Sequence, residues 1–150
     1  MQTFLPYPSY SQTAMCLDNK RLIKQILEAV QIFNVIKNPL AKGWQKHPAV
    51  NQWRNHPGQL MSYAVCMCHE YTNRFNKIHK YDAQIKNYLM NNMIGPSPKF
   101  RFNVNYLDNH KAILLGKDFS YYKYYWPNIH PAIKTNGKWP YIWPSKEGMV

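Results

Sequence analysis

The amino-acid sequence predicts an all-α protein, and three observations lead to this prediction. Two long stretches free of Gly and Pro carry apolar residues at the three- and four-residue spacing of a helix. Alternation with a period of two, which is typical of a half-buried strand, is confined to Lys99–Val104. The chain of 150 residues has the usual size of one domain. We therefore expect residues 1–150 to form a single compact domain of about three main helices with additional short helices.

The chain begins with an extended N-terminal strap over residues 1–9. Pro6 and Pro8 each fix their own φ and disfavour helical backbone at the residue before them. Ser9 and Ser11 are candidate caps for the helix that follows, because a serine hydroxyl can accept from an unpaired N–H of the first turn.

The first long helix is predicted over Leu17–Lys37, and Asn38 and Pro39 end it. Its periodic apolar positions fall on one broad arc of the helix wheel, which we expect to face the core. These positions are Leu22, Ile23, Ile26, Leu27, Ala29, Val30, Phe33 and Ile36.

Four further helices and an irregular C-terminal tail complete the predicted fold. The tail is rich in aromatic residues and Pro. The helices are located by proline at a first turn, by apolar periodicity and by a Gly-Pro stop. They are expected over Pro48–Asn55, about Gln59–His79, Asp82–Met93 and Asn105–Leu115. Asp82 is the expected cap of the third, and Gly95-Pro96 is expected to end it.

The charge balance points to a polyanionic partner. Nineteen Lys and Arg against seven Asp and Glu give a formal net charge of +12 and a pI near 9.7. Each phosphate neutralised by Lys or Arg releases condensed counterions, so nucleic acid is the leading partner and an anionic membrane surface the second. No apolar run approaches the roughly 20 residues of a membrane span, so a transmembrane protein is not expected.

The three cysteines indicate reduced thiols in an intracellular protein. Their number is odd and the chain start lacks the pattern of a secretion signal. Cys66 and Cys68 would point roughly 200° apart on a helix, so they cannot chelate one ion together. We expect no metal and no cofactor, and we expect His47 and His56 to cap or bridge helices.

One polar stripe on the first long helix has two interpretations. Arg21, Lys24, Glu28 and Gln31 fall within about 80° of one another on the wheel. The stripe could be a solvated face, with a Lys24–Glu28 pair worth only ~0.2–0.5 kcal/mol. It could instead be a site, because one of only seven acids lies between cations, where it can stabilise positive charge or accept a proton.

Seven segments carry a resemblance to a known family through their order and spacing. They are Met1–Pro8, Cys16–Gln31, His47–Trp53, Cys68–Arg74, His110–Lys117, Tyr121–Trp126 and Trp139–Pro144. Together they resemble the pyrimidine-dimer DNA glycosylases of phages and bacteria. The resemblance extends over nearly the whole chain.

The resemblance implies a DNA repair enzyme that excises a damaged base and cleaves the strand at the abasic site without a metal. The resemblance further implies that a free N-terminal amine attacks the sugar C1′, expels the base and leaves an imine that undergoes β-elimination. Gln2 blocks ordinary removal of the initiator methionine, so the candidate amine is that of Met1, with Gln2 after trimming and Lys24 as reserves. Glu28 matches the catalytic carboxylate, and Arg21 matches a basic group that contacts the substrate.

Further residues are expected to bind DNA. Lys24 would hold a phosphate and Gln31 a base edge or a phosphate. Aromatic residues around Lys123 could stack on an unpaired base or, alternatively, complete the core. The additional candidates are Gln2, Lys99, Arg101, Tyr122, Tyr125 and Trp126, whereas Phe100 and Phe102 are expected to be buried.

The expected partner is damaged duplex DNA, bound by a monomer that does not associate with a membrane. Pyrimidine dimers are the expected lesion, and the protein could be phage- or virus-encoded. Two alternatives stay open from the sequence: a glycosylase for a different modified or alkylated base, and a non-catalytic basic nucleic-acid-binding protein on the same scaffold.

Overall fold

The computed structural model describes residues 1–149 and confirms an all-α fold, with no strand in that range. Seven α-helices and one 3-10 helix form its regular structure. They are α1 Tyr10–Cys16, α2 Asn19–Lys37, α3 Pro48–Trp53, α4 Pro57–Phe75, α5 Asp82–Asn91, the 3-10 helix Lys99–Phe102, α6 Val104–Lys117 and α7 Phe119–Tyr122.

A short helix that was not predicted precedes the first long helix. Of the two candidate caps it is Ser9, and not Ser11, that caps α1, its hydroxyl accepting from the N–H of Gln12 at 3.1 Å. Extended backbone at Leu17, with ψ of 141°, and at Asp18, with ψ of 158°, separates α1 from α2. The prediction of a helix starting at Leu17 was therefore wrong by two residues, and α1 was missed.

The ends of α4 and α5 also differ from the prediction. Asn76 adopts the left-handed conformation, with φ of 52°, and its N–H donates to the carbonyl of Thr72. Asparagine tolerates this region better than most residues, so α4 ends four residues before His79. Asp82 is the first residue of α5 rather than its cap, and its carboxylate lies 3.0 Å from Nζ of Lys86.

The core forms where α2 packs along α4, with α1, α3 and α5 against α4 or α2. Trp53 of α3, Tyr63 of α4 and Tyr106 of α6 are fully buried there. Phe100 is also buried, whereas Phe102 is exposed, which corrects the expectation for that residue. Among residues 1–149, no helix combines the length and apolarity that a bilayer crossing requires.

The apolar arc of α2 is narrower than the wheel suggested. Ile23 and Leu27 are 42% and 39% exposed, although Leu22, Ile26 and Ala29 are fully buried. Both exposed residues line a groove with Tyr81 beyond the end of α4. Their position at the edge of the arc explains the difference, since only the centre of the arc meets α4.

Candidate active site

The N-terminal strap is buried and is held by side chains from other elements. The N–H of Phe4 donates to Oε1 of Gln25 on α2 at 2.7 Å, and the N–H of Leu5 donates to Nδ1 of His110 on α6 at 2.8 Å. Tyr63 donates its hydroxyl to the carbonyl of Phe4 at 2.7 Å. Buried backbone groups need such partners, so the irregular strap has a fixed path.

A second group of bonds fixes the strap through Thr3. Its hydroxyl oxygen accepts from the indole N–H of Trp53 at 2.8 Å and from Nε2 of Gln52 at 3.2 Å. The Gln52 amide also donates to Oε1 of Gln2 at 3.0 Å and accepts from the hydroxyl of Tyr106 at 2.9 Å. Side chains of four helices, α2, α3, α4 and α6, therefore position residues 2–5.

Glu28 on α2 lies directly against the chain start. The N–H of Gln2 donates to Oε2 of Glu28 at 2.6 Å, and Nζ of Lys24 lies 3.6 Å from Oε1. Glu28 is only 7% exposed, because the strap covers it. The interpretation of the polar stripe as a solvated face is therefore wrong for Glu28. It holds for Lys24, whose side chain is 63% exposed.

Two cavities meet at Met1 and Glu28, since both residues line both cavities. The first, here the basic cavity, has a volume of about 220 Å³. Its lining consists of Met1, Gln2, Phe4, Lys20, Arg21, Lys24, Gln25, Glu28, Lys117 and Tyr141. The second, here the amide cavity, has a volume of about 410 Å³. Its lining consists of Met1, Glu28, Gln31, Asn34, Val35 and Trp44.

Two residues of the basic cavity come from the far end of the chain. Burial lowers the pKa of Lys117 from its usual value, and the neighbouring Arg21 and Lys24 lower it further. Burial also raises the pKa of Tyr141, and the Glu28 carboxylate raises it further, so the phenol stays protonated beside Glu28. Sequence reasoning did not select either residue, because no local pattern connects them with α2.

His47 lies next to the chain start and caps α3, as the sequence predicted. Its Nδ1 accepts from the N–H of Ala49 at 3.0 Å. Burial lowers the pKa of His47, and the positive charge of the N-terminus lowers it further. The rings of Trp44 and Trp143 contact it edge-on, with centroids 5.3 and 5.9 Å away. His56 occupies the cap position of α4 but makes no capping bond with its side chain.

Arg21 reaches the basic cavity but is held by Asp18. Its Nη1 lies 3.2 Å from Oδ1 and 3.3 Å from Oδ2 of that carboxylate. The hydroxyl of Tyr122 donates to the same carboxylate and accepts from the N–H of Asp18. This network also explains why Asp18 forms no capping bond to α2 with its side chain.

The aromatic cluster divides into a buried and an exposed part. Tyr122 is fully buried and stacks on Trp126, whose indole N–H donates to the hydroxyl of Tyr7 at 2.9 Å. This corrects the expectation for Tyr122 and Trp126, because neither ring has a free face for a base. Tyr125 is 43% exposed and Lys123 is exposed, so these two remain accessible.

Three other predicted DNA-binding residues lie apart from the basic cavity or are covered. The guanidinium of Arg101 donates to the carbonyl of Pro8 at 2.7 Å and lies 3.9 Å from the ring centroid of Tyr10. It therefore supports the end of the strap. Lys99 is exposed and, like Arg101, is absent from the described linings of both cavities. Gln2 is 4% exposed, so its side chain serves the buried network.

The part of the chain that the structure describes contains no group of three or more His, Cys, Asp or Glu that could hold a metal ion. Cys16 and Cys68 are buried, Cys66 is partly buried, and all three are free thiols. Burial raises the pKa of Cys16 and of Cys68 to about 12, so neither is a reactive thiolate at neutral pH.

Comparison with known protein families identifies the chain. The sequence model of a family described as pyrimidine dimer DNA glycosylase matches residues 1–83. The chain belongs to this family. The suspected resemblance is thereby confirmed, and this family member is a DNA repair glycosylase with DNA as its substrate. Searches of curated proteins and of solved structures returned no match.

The matched segment contains the strap and every helix from α1 to α4. It therefore includes Met1, Glu28 and the lining of the amide cavity. Lys117 and Tyr141 of the basic cavity lie outside the match, as do the segments His110–Lys117, Tyr121–Trp126 and Trp139–Pro144.

Proposed function

We propose that this glycosylase excises pyrimidine dimers from duplex DNA and cleaves the resulting abasic site, using the α-amine of Met1 as nucleophile and Glu28 as acid and base. The observation that carries the proposal is the contact between the chain start and Glu28. The carboxylate accepts from the N–H of Gln2 at 2.6 Å, one peptide unit from the terminal amine. Both Met1 and Glu28 face the two cavities, where a nucleotide has room to enter.

The α-amine is the better nucleophile on chemical grounds. As a class, α-amino groups have pKa values near 7.7–8.0, whereas lysine side chains titrate at about 10.4. A larger share of an α-amine is therefore neutral and nucleophilic at working pH. Lys24, the reserve nucleophile, has its Nζ 3.6 Å from Oε1 of Glu28, and its side chain is 63% exposed.

The first reaction stage replaces the base with the amine. The Met1 nitrogen forms a bond to C1′ while the C1′–base bond breaks and its electron pair leaves with the base. The new ammonium passes a proton to Glu28. Glu28 returns this proton to O4′ as the C1′–O4′ bond opens, and the nitrogen lone pair completes the imine. General acid–base catalysis of this kind contributes typically about 10²–10⁴-fold.

The second stage cleaves the strand. The imine withdraws electrons from C2′, so Glu28, which has returned its first proton, accepts a proton from C2′. The C3′–O bond breaks with its electron pair on the departing phosphate, and water then hydrolyses the imine and frees the Met1 amine. Lys20 and Lys24 at the mouth of the basic cavity carry positive charge for the flanking phosphates. Gln31 and Asn34 in the amide cavity offer donors and acceptors for a base edge.

Duplexes with one defined lesion each test the proposal. The protein is incubated with DNA that contains a thymine dimer, an alkylated base or an abasic site, with and without borohydride. We expect the glycosidic bond of one dimer base to break, with that base still joined to its neighbour through the dimer, and the strand to be cleaved there. We also expect cleavage at the abasic site and a borohydride-trapped covalent complex on both duplexes. Release of the alkylated base alone would assign the enzyme to a different lesion. Salt-sensitive binding without any trapped complex would contradict the imine mechanism.

A further inference from the structure

Lys117 is held in the basic cavity by structure built from the C-terminal tail. It is the last residue of α6, and its Nζ lies 5.1 Å from the ring centroid of Trp139. Trp139 reaches this position because residue 116 is glycine. A Cβ there would lie 2.6 Å from the Trp139 ring and 2.4 Å from the carbonyl oxygen of Ala132. The N–H of Ala132 donates to the carbonyl of Ala112 at 2.8 Å, which fixes the tail on α6.

Lys117 differs from the other cations of the basic cavity. Arg21 is paired with Asp18 and Lys24 with Glu28, whereas Lys117 has no carboxylate oxygen within 4.0 Å among residues 1–149. It is half-buried, while Lys20 is exposed. Burial and the charges of Arg21, Lys24 and Lys134 lower the pKa of Lys117, and Glu28 opposes them. Its ammonium therefore releases a proton more readily than a lysine in water does.

The proposed reaction needs a proton donor that Glu28 cannot supply at the first stage. A departing pyrimidine carries the electron pair of the broken C1′–N1 bond, and protonation of the base makes it a better leaving group. Glu28 meanwhile accepts from the N–H of Gln2 and takes the proton of the attacking amine. Tyr141 is a poor donor, because burial and Glu28 raise its pKa above the usual value for tyrosine.

We propose that Lys117 is a further catalytic residue, the general acid that protonates the departing base. This inference rests on the proposed function, since it assumes attack on C1′ from within the basic cavity. The Nζ–H bond breaks as the proton moves to the base, on the pyrimidine O2 or N1, where the electron pair of the C1′–N1 bond has gone. Lys117 is left as a neutral amine and regains a proton from water.

The inference separates two reactions of one enzyme. Base excision needs a proton for the leaving base, whereas an abasic site has no base to expel. The experiment therefore compares Lys117→Gln and Lys117→Arg with the unchanged protein on a dimer duplex and on an abasic duplex. Arginine retains the charge and can stack on Trp139, but its pKa above about 12 makes it a poor proton donor.

We expect both substitutions to slow single-turnover base excision at least about 100-fold, the usual size of a general-acid contribution. Borohydride trapping on the abasic duplex should fall less than about fivefold. Lys146→Gln is the matched control, because it removes an exposed lysine charge of the tail that is absent from the linings of both cavities and from the charges that act on Lys117. We expect this control to excise dimers at close to the rate of the unchanged protein.

Two results would overturn the inference. Normal base excision by Lys117→Arg would show that only the charge matters, as in a phosphate contact. Equal losses of base excision on the dimer duplex and of trapping on the abasic duplex, in both variants, would show that Lys117 acts in substrate binding or folding and not as a general acid. Circular dichroism and DNA affinity would then distinguish binding from folding. Absence of trapping by the unchanged protein would instead defeat the proposed function itself, so the two failures are distinguishable.

Discussion

The strap and the tail are both irregular in backbone, yet they are held in different ways. In the strap, residues 2–6 are buried, and side chains of α2, α4 and α6 bond to its backbone. In the tail, most residues from 123 to 149 are exposed. Asn109 anchors the tail, donating to the carbonyl of Pro140 at 2.9 Å and accepting from the N–H of Ile142 at 3.0 Å.

This difference shows what each region contributes to the site. The strap brings the chain start to Glu28, and its buried polar bonds fix the path of residues 2–5. The tail supplies Tyr141 to the basic cavity and the Trp139 ring beneath Lys117, while the residues around them face solvent. Changes in the strap should therefore affect the chemistry and stability strongly, whereas exposed positions of the tail should affect mainly DNA affinity.

The largest expected effect is that of Glu28→Gln. Glutamine retains an oxygen acceptor for the N–H of Gln2, so the strap keeps its path, but it cannot accept the proton of the amine. We expect single-turnover base excision to fall at least about 100-fold with DNA affinity nearly unchanged. Glu147→Gln, at an exposed acid of the tail, is the control and should excise normally. Undiminished excision by Glu28→Gln would remove the carboxylate from the mechanism.

The second-largest expected effect is a loss of stability. It is tested by removing one bond that holds the strap and, separately, the bonds that hold the tail. Gln25→Met preserves side-chain length but leaves the buried N–H of Phe4 without its acceptor. We expect the free energy of unfolding to fall by about 1–3 kcal/mol, as for a buried unsatisfied donor. Asn109→Leu should lower the free energy of unfolding by less, since water can replace the bonds between Asn109 and the tail. Urea unfolding monitored by tryptophan fluorescence measures both, and equal losses would contradict the contrast between strap and tail.

His110 makes the strap sensitive to acid. Complete burial lowers its pKa to about 3, since the charged ring would lose its hydration there. The neutral ring accepts from the N–H of Leu5 through Nδ1. In the unfolded state the ring binds a proton near its usual pKa of 6.5. The stability that neutral His110 contributes to the folded protein is therefore fully present above about pH 6.5. It is lost as pH falls from there toward 3, by at most about 1.4 kcal/mol per pH unit.

His110→Asn tests this, because an amide oxygen can accept from Leu5 without titrating in that range. We expect the loss of stability between pH 7 and pH 4.5 to be smaller in the variant than in the unchanged protein. Urea unfolding at both pH values gives the comparison. Parallel pH dependence in the two proteins would show that His110 does not titrate on unfolding.

The smallest effect is expected at an exposed position of the tail, at Lys123. Lys123→Gln removes one accessible cation, and we expect the slope of log affinity against log salt to decrease by about one. Base excision at saturating enzyme should be unchanged. An unaltered slope in a fluorescence anisotropy titration would show that Lys123 contacts no phosphate.

Much of the fold and part of the site follow from the sequence, because local patterns encode them. Apolar periodicity predicted α2, α4 and α6 within a few residues, and the polar stripe of α2 drew attention to Glu28. Ser9, one of two serines considered as a cap, does cap a helix, but that helix, α1, is too short for a clear period and was missed.

The rest depends on contacts between distant residues that no local pattern records. The burial of Glu28 arises from the strap, which is 26 residues away at Gln2. Lys117 and Tyr141 reach the cavity only through the packing of α6 and the tail. Tyr122 looks like a stacking residue in the sequence, but its hydroxyl bonds to Asp18, 104 residues earlier.

The most direct test of the account is to locate the covalent bond between protein and DNA. The complex trapped by borohydride on a dimer duplex is digested with protease and nuclease, and the modified peptide is sequenced by tandem mass spectrometry. Intact-mass measurement of the free protein first establishes that Met1 is retained. The account predicts that the sugar remnant is attached to the α-nitrogen of Met1. Attachment to the side chain of Lys24 or Lys117, with the Met1 amine unmodified, would contradict it.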